Sequence, residues 1–441
     1  MFGVGHAFAQ DEIILDDNLF DLDFAEPGET SENTDVTWYE PFTYKLSYQT
    51  ISQVNSHDNE ERELENSRIN FLVKYQNAFA PGWLLQGNAH FKVYARQDYE
   101  YEANNNNTAT EARLNELFIQ RSFDQHSVKL GRQTIVWGEA DGNSVLDVIN
   151  TTEIRDLSIV NIEDARLGQQ FLVWDWFGDK AIWSNFINLY PEFNPAIKPG
   201  SPLFQPLPFR QVDLDRDKVL YEVGSQYRWT TTGSDFAVMA AYLYENQLRY
   251  DFPPVLFTAG IPIENDYWLL GVSANRAIDK LLLVADVAYS KGVIADTFNP
   301  TNPFDLPSRH NNDRLATSMG LEYGLTALQQ LSFSIRAETY LDQDFLEKGK
   351  APANHQLVND NVFGNYLFRY SYSSSSGDTS LSSTIQRDLE GDFFLASVGL
   401  NKIVNDNWSW FNQLVFVNAE GLGPTFLDDD LRLELTVNFA F

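Results

Sequence analysis

The segment from Leu431 to Phe441, LRLELTVNFAF, constrains the fold more than any other stretch of the chain. Leu431, Leu433, Leu435, Val437, Phe439 and Phe441 alternate without a break with Arg432, Glu434, Thr436, Asn438 and Ala440. Successive side chains of a strand point to opposite faces. One face of this segment is therefore wholly apolar and the other mostly polar. A soluble sheet could bury such a face, so the rest of the chain must decide what covers it.

A chain of 441 residues fits two or three soluble domains or one large barrel. Aromatics make up 14% of it, with 32 Phe, 20 Tyr and 10 Trp, the load a membrane barrel places in its two interfacial girdles. Cysteine is absent, which excludes disulfides and thiolate metal sites and suits an oxidising periplasmic route. Mean hydropathy is −0.32, and no run approaches the ~18 apolar residues of a membrane-crossing helix. A barrel stays open, because half of its strand residues face water or the lumen.

The formal net charge of −31 disfavours nucleic acid, whose phosphates need a basic face. The acids gather in connecting segments at 11–32, 58–65 and 428–430 and read as solvated loops, or as sites where divalent cations bridge to lipopolysaccharide. The run Asp213, Asp215, Asp217 alternates like a calcium loop but lacks its glycine and distal glutamate, so no metal is assigned.

Residues 1–9 end in Ala7-Phe8-Ala9, the small-x-small form of a signal-peptidase site, and read as the remnant of a leader. Residues 10–37 form an acidic tail, expected in the periplasm, either flexible or docking onto the barrel or a partner. From residue 38 to 441, segments of about ten alternating residues recur. Their clearest apolar sets are Ile69/Phe71/Val73/Tyr75, Phe236/Val238/Ala240/Tyr242/Tyr244, Trp268/Leu270/Val272/Ala274 and Leu331/Phe333/Ile335/Ala337. Short connectors alternate with long ones, and counting back from Phe441 puts every short one on one side, as in barrels with short periplasmic turns and long extracellular loops. The expectation is an all-β transmembrane antiparallel barrel of 16 strands. Residues 356–390 leave 18 as the alternative, since they read either as a large loop or as two strands around Val362–Tyr370 and Leu381–Arg387.

Polar positions on the inward parity of the early strands are rich in cations. Arg68, Lys74, His90, Lys92, Arg96, Arg113, Arg121 and Lys129 are expected to form a basic wall that guides anions. The competing reading is a hydrated lining paired with loop carboxylates. On the fourth strand Leu114 and Leu117 fall in opposite phases, which calls for a bulge. The connector 137–166 is expected to fold inward and constrict the lumen. It carries Asp147, Glu153, Arg155, Asp156, Glu163 and Asp164, whose carboxylates would face the basic wall. The alternative lays it over the mouth.

The terminal strand with its aromatic end resembles the closing strand of bacterial outer-membrane barrels, where such a strand serves as an insertion signal to the barrel-assembly machinery. Leu130–Gly142, LGRQTIVWGEADG, resembles the strand-end pattern of porin-like families. These include alginate-export-type barrels and a poorly characterised group linked with exporters of the resistance-nodulation-division type. The acidic tail and Thr384-Ile385-Gln386-Arg387-Asp388 are similar to that second group. The resemblance implies an outer-membrane location, lipid and lipopolysaccharide around the barrel, and a periplasmic exporter partner. Arg132 shares phase with Val128 and Leu130, so an inward position for it would need a distortion near Gly131.

No GxSxG, HExxH or glycine-rich phosphate loop is present, and of the six histidines only His90 falls well inside an expected strand. The enzyme reading is therefore set aside and no cofactor is expected. What remains is a passive channel for small or elongated, anionic or amphipathic solutes. The alternatives are an exporter-linked route for lipid or hydrophobic compounds and a structural or adhesive barrel. The oligomeric state is left open.

Overall fold

A computed structural model describes residues 41–55, 65–96, 109–140, 142–155, 165–196, 218–251, 261–297, 308–342, 362–389, 391, 393–419 and 429–441. The expected leader and acidic tail and the aspartates at 213–217 lie outside these residues. An 18-stranded antiparallel sheet dominates the fold. Its strands are β1 (Phe42–Gln53), β2 (Glu65–Ala80), β3 (Trp83–Arg96), β4 (Ala109–Phe123), β5 (His126–Gln133) and β6 (Gln169–Phe177). They continue as β7 (Ala181–Asn188), β8 (Glu222–Thr231), β9 (Ser234–Tyr244), β10 (Asp266–Ile278), β11 (Leu281–Thr297) and β12 (Ser308–Thr326). The last are β13 (Gln329–Tyr340), β14 (Phe363–Ser373), β15 (Thr379–Asp388), β16 (Phe394–Ile403), β17 (Trp408–Asn418) and β18 (Asp430–Ala440). Each strand pairs with its successor, and β18 returns to β1 through pairs such as Leu46↔Phe439 and Tyr48↔Val437, so the sheet closes into a barrel. Tyr44 and Phe441 exchange backbone hydrogen bonds of 3.2 and 3.1 Å beside that closure.

Alternation sorts the side chains as a bilayer requires. On β18 Leu433, Leu435 and Val437 project outward, while Arg432, Glu434 and Asn438 are buried inside. Aromatic rings gather on the outer face near the short turns, including Phe42, Tyr44, Tyr75, Trp408, Phe439, Phe441, Trp174, Trp183, Trp229 and Phe236. A second group, Tyr221, Tyr242, Tyr244 and Trp268, marks the opposite rim. An apolar outer belt between two aromatic girdles is the surface of a membrane-spanning barrel.

The count of 18 strands corrects the expected 16. Residues 363–373 and 379–388 are both wall strands, joined by a turn at 374–378. Of the serines that argued against strands, Ser371, Ser373, Ser380 and Ser382 sit on the inward parity, in phase with buried Leu367, Thr384 and Gln386, Ser374–Ser376 lie in the turn, and Ser383 faces outward. Lipid meets Phe368, Tyr370, Tyr372, Leu381 and Ile385 instead. On β4 the register shifts between Asn88↔Glu116 and Ala89↔Leu114, leaving Asn115 as a bulge and turning Leu114 and Leu117 both outward.

Candidate functional site

The wall is uneven in height. β5, β6 and β7 have only 8, 9 and 8 residues, against 17 and 19 for β11 and β12. After Gln133 the chain leaves the wall and turns into the lumen. Gly131 has φ of +136°, and a Cβ there would lie 2.3 Å from the Leu117 carbonyl oxygen. Gly138 has φ of +100° and sits against Ser144 and Asp286. Both glycines of the LGRQ…WG pattern thus serve the departure of the loop.

The loop crosses to the far side and is fixed there by one carboxylate. Asp286, fully buried on the inner face of β11, accepts the backbone N–H of Glu139 (3.1 Å) and Ala140 (3.1 Å) and the Ser144 hydroxyl (2.7 Å). From its own wall it accepts the hydroxyls of Ser273 (2.7 Å) and Ser318 (3.3 Å). Around this latch, Asn143 donates to Ser334 (3.1 Å), Arg336 donates to the Ser144 carbonyl (3.3 Å), and Arg228 pairs with Glu139 (3.2 Å). Asn150 braces the loop's root by binding both the N–H and the carbonyl of Ile135.

Beneath the latch lies a dry seat. Trp137, Val145, Leu146 and Ile149 pack with the inward side chains Phe171, Val173, Phe186, Met239, Leu243, Tyr267 and Leu269. A Cβ at Gly224 would lie 2.3 Å from the Phe186 ring, and one at Gly271 would lie 2.5 Å from Leu146. These two glycines make the room that the loop's apolar side chains fill. The inner faces of β6–β10 and the upper parts of β11 and β12 are covered in this way, and the rest of the lumen is bounded by the mostly polar inner faces of β13–β18 and β1–β4. Below the loop it widens into recesses of about 380 Å³, lined by Glu322, Gln330, Ser371 and Ser382, and about 140 Å³, lined by Ala140, Ser334, Arg369 and Thr384.

On the opposite wall Arg68 and Lys92 are buried on the inner face, and Arg68 donates to Gln49, which donates to Glu434. Lys45, Lys74, Lys92 and Arg113 all lie within electrostatic reach of His90. Lys129 faces Asp175 at 3.9 Å. Glu153, on the loop's return, is buried between Arg155 (2.5 Å) and Arg113 (3.8 Å), and Arg155 also reaches Glu111 (3.3 Å). Asp147 pairs with Arg166 at 3.0 Å, within the loop rather than across the lumen. Arg96 ends β3 with its side chain outside the described residues, as are Asp156, Glu163 and Asp164.

Arg121 is a correction. Beyond the Asn115 bulge it shares the outward phase of Leu117 and Ile119, pairs with Trp83, and stacks on that ring at 5.1 Å. Its guanidinium donates to the Pro81 carbonyl (2.6 Å) at the membrane interface, not into the lumen. Arg132 keeps the outward phase of Leu130 and forms a two-pronged pair with Glu192 (2.6 and 2.9 Å) at the rim. Asp286, Ser144, Gly224 and Gly271 were missed by sequence reasoning. Asp286 had a signal: it is the lone charge within the apolar run LLLVADVAY.

A closed membrane-spanning barrel with short turns at one end, long loops at the other and one loop folded inside has the fold of an outer-membrane porin. Residues 35–176 match the model of a family described as protein of unknown function (DUF1302). Pseudomonas aeruginosa OccK8 (OprE) is similar over 91% of this chain and 98% of its own, with a TM-score of 0.53 and 10% identity. Pseudomonas aeruginosa OpdK, solved with vanillate, covers 91% and 98% with a TM-score of 0.50 and 9% identity. Acinetobacter baumannii OccAB1 covers 91% and 96% with a TM-score of 0.50 and 8% identity. At these identities the likeness is one of fold. No curated protein matches the chain.

Proposed function

We propose that this barrel is a passive outer-membrane channel for small or elongated solutes carrying an anionic group. The observation that carries the reading is the cationic group Lys45, Lys74, Lys92 and Arg113 around His90, on the inner face of β1–β4. A low-dielectric constriction lined by cations lowers the barrier for anions and raises it for cations. The paired carboxylates of Glu153 and Glu111 moderate this field, so selectivity rather than tight binding is expected.

The test is planar-bilayer conductance of the purified barrel under a potassium chloride gradient. The expected result is discrete open channels with a reversal potential on the anion-selective side. A non-conducting barrel overturns the channel, and cation selectivity overturns the role of the basic wall.

A further inference from the structure

The β4–β5 ladder is incomplete. Its pairs run from Phe123↔His126 to Leu117↔Arg132 and stop there, although β4 continues back to Ala109. Among the described residues no strand pairs with that upper edge of β4 on the β5 side. We infer that this junction is a lateral exit by which an amphipathic carboxylate passes between the lumen and the outer leaflet. The inference rests on the channel reading above and names one solute class and its route.

Wall height places the junction at membrane depth. Eight residues rise ~26 Å along a strand at ~3.3 Å each, and about 20 Å along the membrane normal at a tilt of ~40°, short of the ~25 Å apolar band. The outer side chains agree: Leu114, Leu117 and Leu130 are exposed on the lip, and Phe91 and Val93 continue the apolar surface beside them. An open strand edge in hydrocarbon leaves backbone groups without partners, so something other than a ladder must close it.

Charged side chains close it from within. Arg155 joins Glu111 and Glu153, Arg113 faces Glu153, and the Thr134 hydroxyl lies 3.4 Å from Glu116. Tyr94 donates to Glu111 at 3.2 Å. Gly168 presses on the edge so closely that a Cβ there would lie 2.2 Å from the Asn115 carbonyl oxygen. The Asn115 bulge stands at the base of the gap, as bulges do where a ladder is made to end. A closure of this kind differs from a ladder in what can compete with it. A solute carboxylate can take the place of Glu111 or Glu153 on Arg155 and Arg113, one anion exchanged for another. Its head then stays on the guanidinium groups while an apolar tail enters the lip of Leu114, Leu117 and Leu130. A small hydrophilic anion has no tail for that lip and stays in the lumen.

The chain has no cysteine, so a Glu116→Cys, Thr134→Cys double variant can be bridged across the gap by a short bifunctional thiosulfonate. In liposomes, radiolabelled oleate transfer and chloride conductance are read on the same protein, bridged and then reduced. The expected result is oleate transfer that falls to the level of protein-free liposomes on bridging and returns on reduction, with chloride conductance unchanged. Oleate transfer that is indifferent to bridging overturns the lateral exit, as does a reduced protein that conducts chloride but moves no oleate. A parallel loss of oleate transfer and chloride conductance on bridging also overturns it, since both solutes then share the lumen. A reduced protein without chloride conductance overturns the channel reading instead.

Discussion

Replacing Asp286 by alanine should loosen the constriction without releasing it. The substitution removes the acceptor for the Glu139 and Ala140 N–H groups and the Ser144 hydroxyl on the loop side. Hydrogen bonds to a charged group contribute ~1.5–3 kcal/mol each, so these sum to roughly 4–9 kcal/mol, an upper bound because lumen water can take over part of them. Against this stands the dry seat of Trp137, Val145, Leu146 and Ile149. Burial of such side chains is worth ~1.5–3 kcal/mol each, or roughly 6–12 kcal/mol together. The seat is the larger contribution, so residues 138–144 should leave the wall while Trp137 and Ile149 stay. Single-channel recording in planar bilayers should show a higher conductance and a noisier open state than the parent. Adding Leu146→Ala, which costs ~2–5 kcal/mol at a fully buried position, should raise conductance further. An Asp286→Ala channel with parental conductance and noise would refute the reasoning, because it would mean that the latch does not hold the constriction.

Three further outcomes follow from the same geometry. Glu153→Gln should raise the anion-to-cation permeability ratio, since Arg113 and Arg155 lose their shared carboxylate, and should lower the melting temperature, because breaking a buried ion pair costs ~3–5 kcal/mol; bilayer reversal potentials and thermal melts in detergent read the two effects. Arg121→Ala should leave the reversal potential unchanged, because the side chain stacks on Trp83 outside the lumen, and a shift towards cations would return it to the basic wall. In the turn at 374–378, Lys402 and then Ser376, Ser374 and Thr379 hold the Asp378 carboxyl well below the usual carboxylate range. A depressed folded value contributes stability above the unfolded pKa of ~3.9 that is lost only as pH falls through the folded value. Carboxyl NMR titration should therefore find Asp378 still ionised at a pH where exposed aspartates are protonated.

The wall was legible because a period of two has only one phase to set. Phe441 and its alternation supplied that phase, and Ile69/Phe71/Val73, Trp268/Leu270/Val272 and Leu331/Phe333/Ile335 project outward accordingly. The clash of phase between Leu114 and Leu117 called for a bulge on this strand, and the register shift places it at Asn115. Its consequence for Arg121 was missed: once the bulge resets the parity, Leu117, Ile119 and Arg121 share one face. The serines of 371–376 and 380–383 misled the strand count because they were weighed as lipid-facing groups, whereas parity assigns Ser371, Ser373, Ser380 and Ser382 to the lumen, the turn takes Ser374–Ser376, and Ser383 alone faces outward. The latch was not legible, because alternation orders residues along a strand and carries no information about partners across a lumen. Ser144 and Asp286 are 142 residues apart and meet only because the loop crosses the barrel.

The asymmetric interior follows from the short wall by one physical step. With β5–β7 too low to carry the chain upward, residues 134–155 must go somewhere, and the lumen is the nearest enclosed volume. Filling it stably requires an apolar inner face to receive them. The strands that supply this face are apolar on both parities, as in Phe171–Phe177, FLVWDWF, and Phe236–Tyr244, FAVMAAYLY. A strand with lipid on one face and water on the other has no reason for that pattern; a strand buried on both faces does. The doubly apolar strands therefore mark where the loop rests, and the strands that alternate apolar with polar, such as β1, β2 and β18, mark the polar side of the lumen.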